Sequence, residues 1–138
     1  MWYAGHVNGG GYRIMYATSP NPEGPWTKYG NNYIFDPNYN ILPSDVWKEE
    51  DIYYMLFEDT VGSYEIRLAT SNDGINWKND GIVFSPNPSK NWENISVYDL
   101  SQAFVNDKWY TFYTGHGTNG DISIGVATSF SRLPNPTP

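Results

Sequence analysis

The sequence predicts an all-β fold built from β-propeller blades. Three observations carry that expectation. Ala-Thr-Ser occurs three times, starting at Ala17, Ala69 and Ala127, and each copy closes a strand-like run: YRIMYATS, YEIRLATS and DISIGVATS. An aromatic-rich segment stands upstream of each run: MWYAG, MLFED and TFYTG. The composition, with 12 Tyr, 6 Trp, 6 Phe, 13 Gly and 10 Pro, suits many short strands joined by tight turns. The three copies start 52 and then 58 residues apart. A repeat of about 40–50 residues made only of short strands is the signature of propeller blades.

The elements follow in chain order. Strands are expected over 1–5, 12–19 and 26–35, then over 44–50, 52–58, 64–71 and 77–84, then over 97–105, 108–114 and 121–129. In 64–71, Tyr64, Ile66, Leu68 and Thr70 alternate with Glu65, Arg67, Ala69 and Ser71, the two-residue period of a strand. In 121–129, Ile122, Ile124 and Val126 share one face. Glu49-Glu50-Asp51 and Asn106-Asp107-Lys108 read as hairpin connections, and Asn8-Gly9-Gly10-Gly11 and Thr118-Asn119-Gly120 as Gly/Asn loops. Ser71 to Trp77 is a turn in which a carboxylate folds onto local N–H groups and Trp77 packs back across it. The blades are expected at about 1–43, 44–95 and 96–133, followed by a Pro-rich tail, 134–138. Their strands count 3 + 4 + 3, because the first blade lacks its opening strand and the last its closing one.

Lys and Arg number 8 against 15 Asp and Glu, a net charge of −7. With no basic stripe, nucleic acid is not expected as a partner. No apolar run approaches the roughly 18 residues of a membrane span. With no cysteine, a disulfide scaffold and a Cys-ligated metal are excluded. No metal or organic cofactor is expected, and the compartment stays open.

The segments YYMLFED, YEIRLATSNDGINW and KWYTFYTG…SIGVATS resemble the five-bladed propeller glycosidases, glycoside hydrolase family 43 and the related invertase and levansucrase group. The resemblance runs from Met1 to about Leu133 and lies in the blade framework. The turn with Asp73 also resembles the Asp-box of sialidases. The resemblance implies that the first strand of each blade lines a central channel, with its N-terminal end at the mouth where carbohydrate binds. It points to Ser44-Asp45-Val46-Trp47 and Val97-Tyr98-Asp99-Leu100, with Asp45 and Asp99 on adjacent blades at one mouth. Such enzymes use a base Asp, a pKa-tuning Asp and an acid Glu. No Glu stands at the start of an inner strand here; Glu58, at the end of the second strand of the middle blade, is the candidate acid, with Ala4 and Thr114 at the equivalent positions.

Glycoside hydrolysis needs two carboxyl groups across the scissile bond, one of them kept protonated. Asp45, Asp99 and Glu58 are the catalytic candidates. An Asp in these places also serves simply to cap a loop-to-strand turn. His6 and His116, in YAGH and YTGH, are candidates to bind sugar hydroxyls, and Trp47, Trp92 and Tyr98 to stack on sugar faces. Two activities stay open: a glycoside hydrolase-like propeller, or a non-catalytic carbohydrate-binding or scaffold propeller without the general acid. Three blades do not close a ring, since propellers start at about four. The ring is expected to close through a partner chain, a dimer about a twofold axis, or through sequence beyond this chain.

Overall fold

A computed structural model describes residues 1–30, 33–60 and 64–133. The described residues hold ten strands and no helix. Blade one contains β1 (Trp2–Val7), β2 (Gly11–Thr18) and β3 (Thr27–Lys28). Blade two contains β4 (Ile41–Glu49), β5 (Ile52–Asp59), β6 (Glu65–Ser71) and β7 (Lys78–Phe84). Blade three contains β8 (Ser96–Val105), β9 (Lys108–His116) and β10 (Ile122–Ser129). The three antiparallel sheets have three, four and three strands, each in chain order, and no ring is closed. The Pro-rich tail, 134–138, lies outside the described residues.

Register makes the repeat explicit. Ala4 pairs with Ile14, Glu58 with Ile66 and Thr114 with Ile124. Positions 4, 58 and 114 are therefore equivalent, as the sequence repeat implies. Turn chemistry fixes the hairpins. Asn106 and Asp107 both have positive φ, 49° and 60°, the backbone of a type I′ turn whose twist matches the strands it joins. In the Asp73 turn, the carboxylate accepts the N–H groups of Ile75 (2.8 Å) and Asn76 (2.7 Å), and Trp77 Nε1–H reaches back to Gly74 O at 3.1 Å. Those bonds hold the Asp73 carboxyl far below the ordinary carboxylate range.

Two expected strands change. Of the strand expected over 26–35, in which 31 and 32 lie outside the described residues, the described part forms Thr27–Lys28 and one bridge, Ile14 to Phe35. Gly30, with a left-handed φ of 62°, interrupts that stretch, and Phe35 beyond it turns into the core. The strand expected from 44 starts at Ile41, so Asp45 is inside β4 and not at its beginning. Here β4 carries a bulge: Pro43 pairs with Phe57 and Asp45 with Leu56. The same bulge recurs in β8, where Tyr98 pairs with Thr114 and Ser101 with Phe112. Leu42 and Tyr98 are thus equivalent, as are Asp45 and Ser101. Asp99 and Leu100 fill the places of Pro43 and Ser44.

The blades meet at two seams. In the first, Ile14 and Trp2 of blade one pack against Ile41, Met55, Phe57 and Ala69 of blade two, and Phe35 meets Phe57 edge to face at 5.3 Å. In the second, Leu56 and Ile66 of blade two pack against Val97, Leu100 and Tyr113 of blade three. Alternation along β5 assigns the faces: Met55 and Phe57 serve the first seam, Leu56 and Glu58 the second. Each such buried side chain contributes about 1.5–3 kcal/mol of transfer free energy.

Candidate active site

Strands β4 and β8 begin, and β5 and β9 finish, at one end of the blades. At that end of the second seam, Glu58 is buried at 5% exposure. Its Oε1 accepts the backbone N–H of Asp99 at 2.7 Å and the hydroxyl of Ser44 at 3.1 Å. Asp99 Oδ2 accepts a long bond from Thr114 Oγ1, 3.4 Å. The rings of Tyr64 and Tyr98 lie 6.2 Å apart beside these carboxyls. Each side chain has a local cause. The bulges in β4 and β8 bring Ser44 and Asp99 toward β5. Asp99 takes a left-handed φ of 52°, which Asp tolerates better than most residues.

Burial pushes the Glu58 carboxyl up from its ordinary value, opposed by the Asp99 N–H and Ser44 hydroxyl and reinforced by the Asp99 charge. The Tyr98 phenol is likewise raised, by burial first and then by Asp99 and Glu58. Burial beside a second carboxylate shifts this carboxyl toward its protonated form, the form that can donate a proton.

The structure joins two of the three carboxylate candidates and separates the third. Asp99 and Glu58 share the cluster above. Asp45 instead faces Arg132, whose Nη2 lies 2.8 Å from Asp45 Oδ2. The expectation that Asp45 and Asp99 hold matching places is corrected: the bulge register makes Ser101 the counterpart of Asp45. Trp47 does not stand at the mouth either. It pairs with Tyr54, five residues along β4 from Leu42, which pairs with Glu58. Its ring stacks on Tyr54 at 5.3 Å and is covered by the Arg132 guanidinium at 3.9 Å.

Tyr98 does sit in the cluster. Trp92 has a packing role that the sequence did not show. Its ring lies over Tyr113 at 6.0 Å, and a Cβ on Gly115 or Gly125 would come within 2.7 or 2.6 Å of it. Next to it, Glu93 is 3% exposed and accepts the Tyr113 hydroxyl at 2.5 Å. Burial and that bond push the Tyr113 phenol up. His6 meets Tyr12 edge to face at 5.5 Å on blade one, and His116 ends β9 on blade three; blade two stands between them, so they form no pair. Among the described residues, no group of three or more His, Cys, Asp or Glu gathers as a metal set. Sequence reasoning missed Ser44 as a partner of Glu58, as well as Glu93 and Tyr64. Ser44 adjoins the Asp45 it singled out, and Glu93 adjoins Trp92.

Fold and register define the class: a partial β-propeller of three blades. Solved structures that share the fold include glycoside hydrolases. A glycoside hydrolase superposes with a TM-score of 0.72 at 22% identity, covering 93% of this chain and 40% of that one. An endo-arabinase from Bacteroides thetaiotaomicron gives 0.72 at 17%, covering 93% and 51%. A GH32 beta-fructofuranosidase from Bombyx mori gives 0.71 at 17%, covering 92% and 30%. In sequence, a beta-xylosidase from Formosa agariphila is 27% identical over 99 residues, covering 64% of this chain. The chain spans 17% of the length of that curated relative. No protein-family model matches the chain.

Proposed function

We propose that this chain is part of a carbohydrate-active propeller of the glycoside hydrolase type, with its substrate at the mouth beside the second seam. The observation that carries the reading is Glu58: a buried carboxyl with a raised pKa, held in place by the Asp99 N–H and the Ser44 hydroxyl. The matched structures support it by fold, and the beta-xylosidase by sequence. In this reading Glu58 protonates the glycosidic oxygen as the bond to the anomeric carbon breaks. Burial, reinforced by the Asp99 charge, favours the proton on Glu58 until then. The broken bond is replaced by one from a nucleophile on the opposite face of the sugar, a carboxylate or a water activated by one. Tyr64 and Tyr98 offer ring faces to the sugar, while Asp45, Trp47 and Trp92 serve as packing and pairing groups.

The second reading is a carbohydrate-binding propeller without turnover. It is favoured by the same bond from Asp99, since the N–H that the bulge takes out of the β8–β9 ladder is reason enough for an acceptor.

The full chain, assayed on a panel of aryl-glycosides and on a glycan array, separates them. Turnover that falls about 10²-fold or more in Glu58→Gln, with binding retained, is the expected result. Binding without turnover selects the second reading. Neither turnover nor binding overturns both.

A further inference from the structure

Beside the Glu58 cluster, one residue of blade three crosses the second seam. Arg132 follows β10, and its Nη2 lies 2.8 Å from Asp45 Oδ2 on β4 of blade two. Its guanidinium carbon stands 3.9 Å from the ring centre of Trp47 on blade two and 5.0 Å from that of Trp109 on blade three. A flat cation held by two indoles and a carboxylate is fixed from three sides. The repeat shows how it comes to be there. Arg132 is the third residue past Ser129, which ends β10, as Gly74 is past Ser71, which ends β6. The same turn thus crosses both seams. At the first, Gly74 O accepts Trp2 Nε1–H of blade one at 2.8 Å. At the second, the residue in Gly74's place reaches across with a guanidinium.

What this residue holds stands next to the candidate acid. Pro43 pairs with Phe57 and Asp45 with Leu56, so Ser44 is the residue that the β4 bulge leaves without a partner in the ladder. A bulge re-aims a side chain and removes the ladder bonds that would fix it. Ser44 and Asp45 both point into the second seam, where the Ser44 hydroxyl donates to Glu58 Oε1 at 3.1 Å and Asp45 meets Arg132. The bulge in β8 gives Glu58 a backbone donor, the Asp99 N–H, which needs no side chain to be aimed. There the counterpart of Asp45 is Ser101, which is exposed. The ion pair therefore occurs in the strand whose bulge must aim a hydroxyl.

We propose that Arg132 is a positioning residue for the candidate active site: by holding Asp45 it fixes the β4 bulge and aims the Ser44 hydroxyl at Glu58. This rests on the reading of Glu58 as the acid, and goes beyond it in giving a residue of blade three control over the surroundings of a residue of blade two.

One measurement reads Glu58 itself, apart from turnover. Its titration midpoint is followed through the carboxyl signals of isotope-labelled glutamate, with Glu58→Gln to assign them. The Ser44 bond favours the ionised carboxylate, so Ser44→Ala should raise the midpoint. Asp45→Asn combined with Arg132→Ala removes one charge of each sign and leaves the net charge unchanged. That double variant should raise the midpoint by a similar amount, about half a unit, and add nothing further in the Ser44→Ala chain. Arg132→Gln keeps a flat group between the indoles and gives the same cycle if the double variant does not fold. A variant that loses stability in urea but leaves the Glu58 midpoint unmoved, or lowers it, assigns Arg132 to packing and overturns the proposal. Shifts that add to that of Ser44→Ala also overturn it, and leave the acid reading standing if Glu58→Gln abolishes turnover. Shifts that do not add, in a chain that turns over no glycoside, uphold the positioning and sink the acid reading.

Discussion

The two seams of this chain have the same framework and differ in whether a buried carboxyl stands at the end where β4 and β8 begin. At the first seam the equivalent places hold Ala4 on blade one and Pro43 on blade two. At the second they hold Glu58 on blade two and Asp99 on blade three. Proline has no N–H, so the bulge at Pro43 offers no donor and needs no acceptor. Asp99 has one, and Glu58 receives it at 2.7 Å. A blade junction is thus apolar by default, and a carboxyl enters it only together with donors that satisfy it. That pairing gives the second seam a buried carboxyl, whereas the first is held by packing and by bonds such as Trp2 Nε1–H to Gly74 O at 2.8 Å.

The sharpest way to break the contrast is to put the carboxyl in the wrong seam. Ala4→Glu meets no donor at Pro43, and is expected to destabilise the chain by about 1–3 kcal/mol in urea unfolding. A neutral result would show that position 4 is open to water. A smaller effect of opposite sign is expected at the bulge. Asp99→Gly keeps the backbone N–H for Glu58 and removes a side chain from a φ of 52°. It should stabilise the chain by about 0.5–1 kcal/mol, measured in the same way. It also removes a charge that adds to the rise that burial causes in the Glu58 pKa, so the basic limb of any pH–rate profile moves to lower pH.

The finest distinction is pH dependence. Because the folded chain raises the Glu58 pKa above 4.5, the native state binds this proton more tightly than the unfolded chain does. The stability it contributes is complete below about pH 4.5 and is lost as the pH rises through the raised value. Glu58→Gln should therefore gain on the wild type between pH 4 and pH 7, read as the change in the difference of urea midpoints. No change in that difference would mean that Glu58 ionises as it does in water.

Much of this was legible in the chain. The Ala-Thr-Ser marks placed β2, β6 and β10, and the flanking aromatics placed β1, β5 and β9. The equivalence of Ala4, Glu58 and Thr114 followed from the repeat and matches the register. The turn residues were also plain, since Asn106-Asp107 and the Asp73 turn act through bonds within a few residues. The candidate site was half legible. Glu58, Asp99 and Tyr98 were named, but Asp45 was given Asp99's place because a separation close to one repeat looked like equivalence. Trp47 and Trp92 were placed at the rim because the sequence does not show that Arg132, Gly115 and Gly125 make room for them or cover them.

By itself, then, the sequence determined most of the strands, their faces, their grouping into blades and the residue that differs between them, because alternation and turn chemistry are local. Only the tertiary structure decided which carboxylates meet. A bulge adds one residue to β4 and to β8 and shifts every pairing after it, which moves Asp45 onto Arg132. The N–H that holds Glu58 comes from Asp99, 41 residues away on another blade, and reaches it only because the apolar seam between the blades has closed.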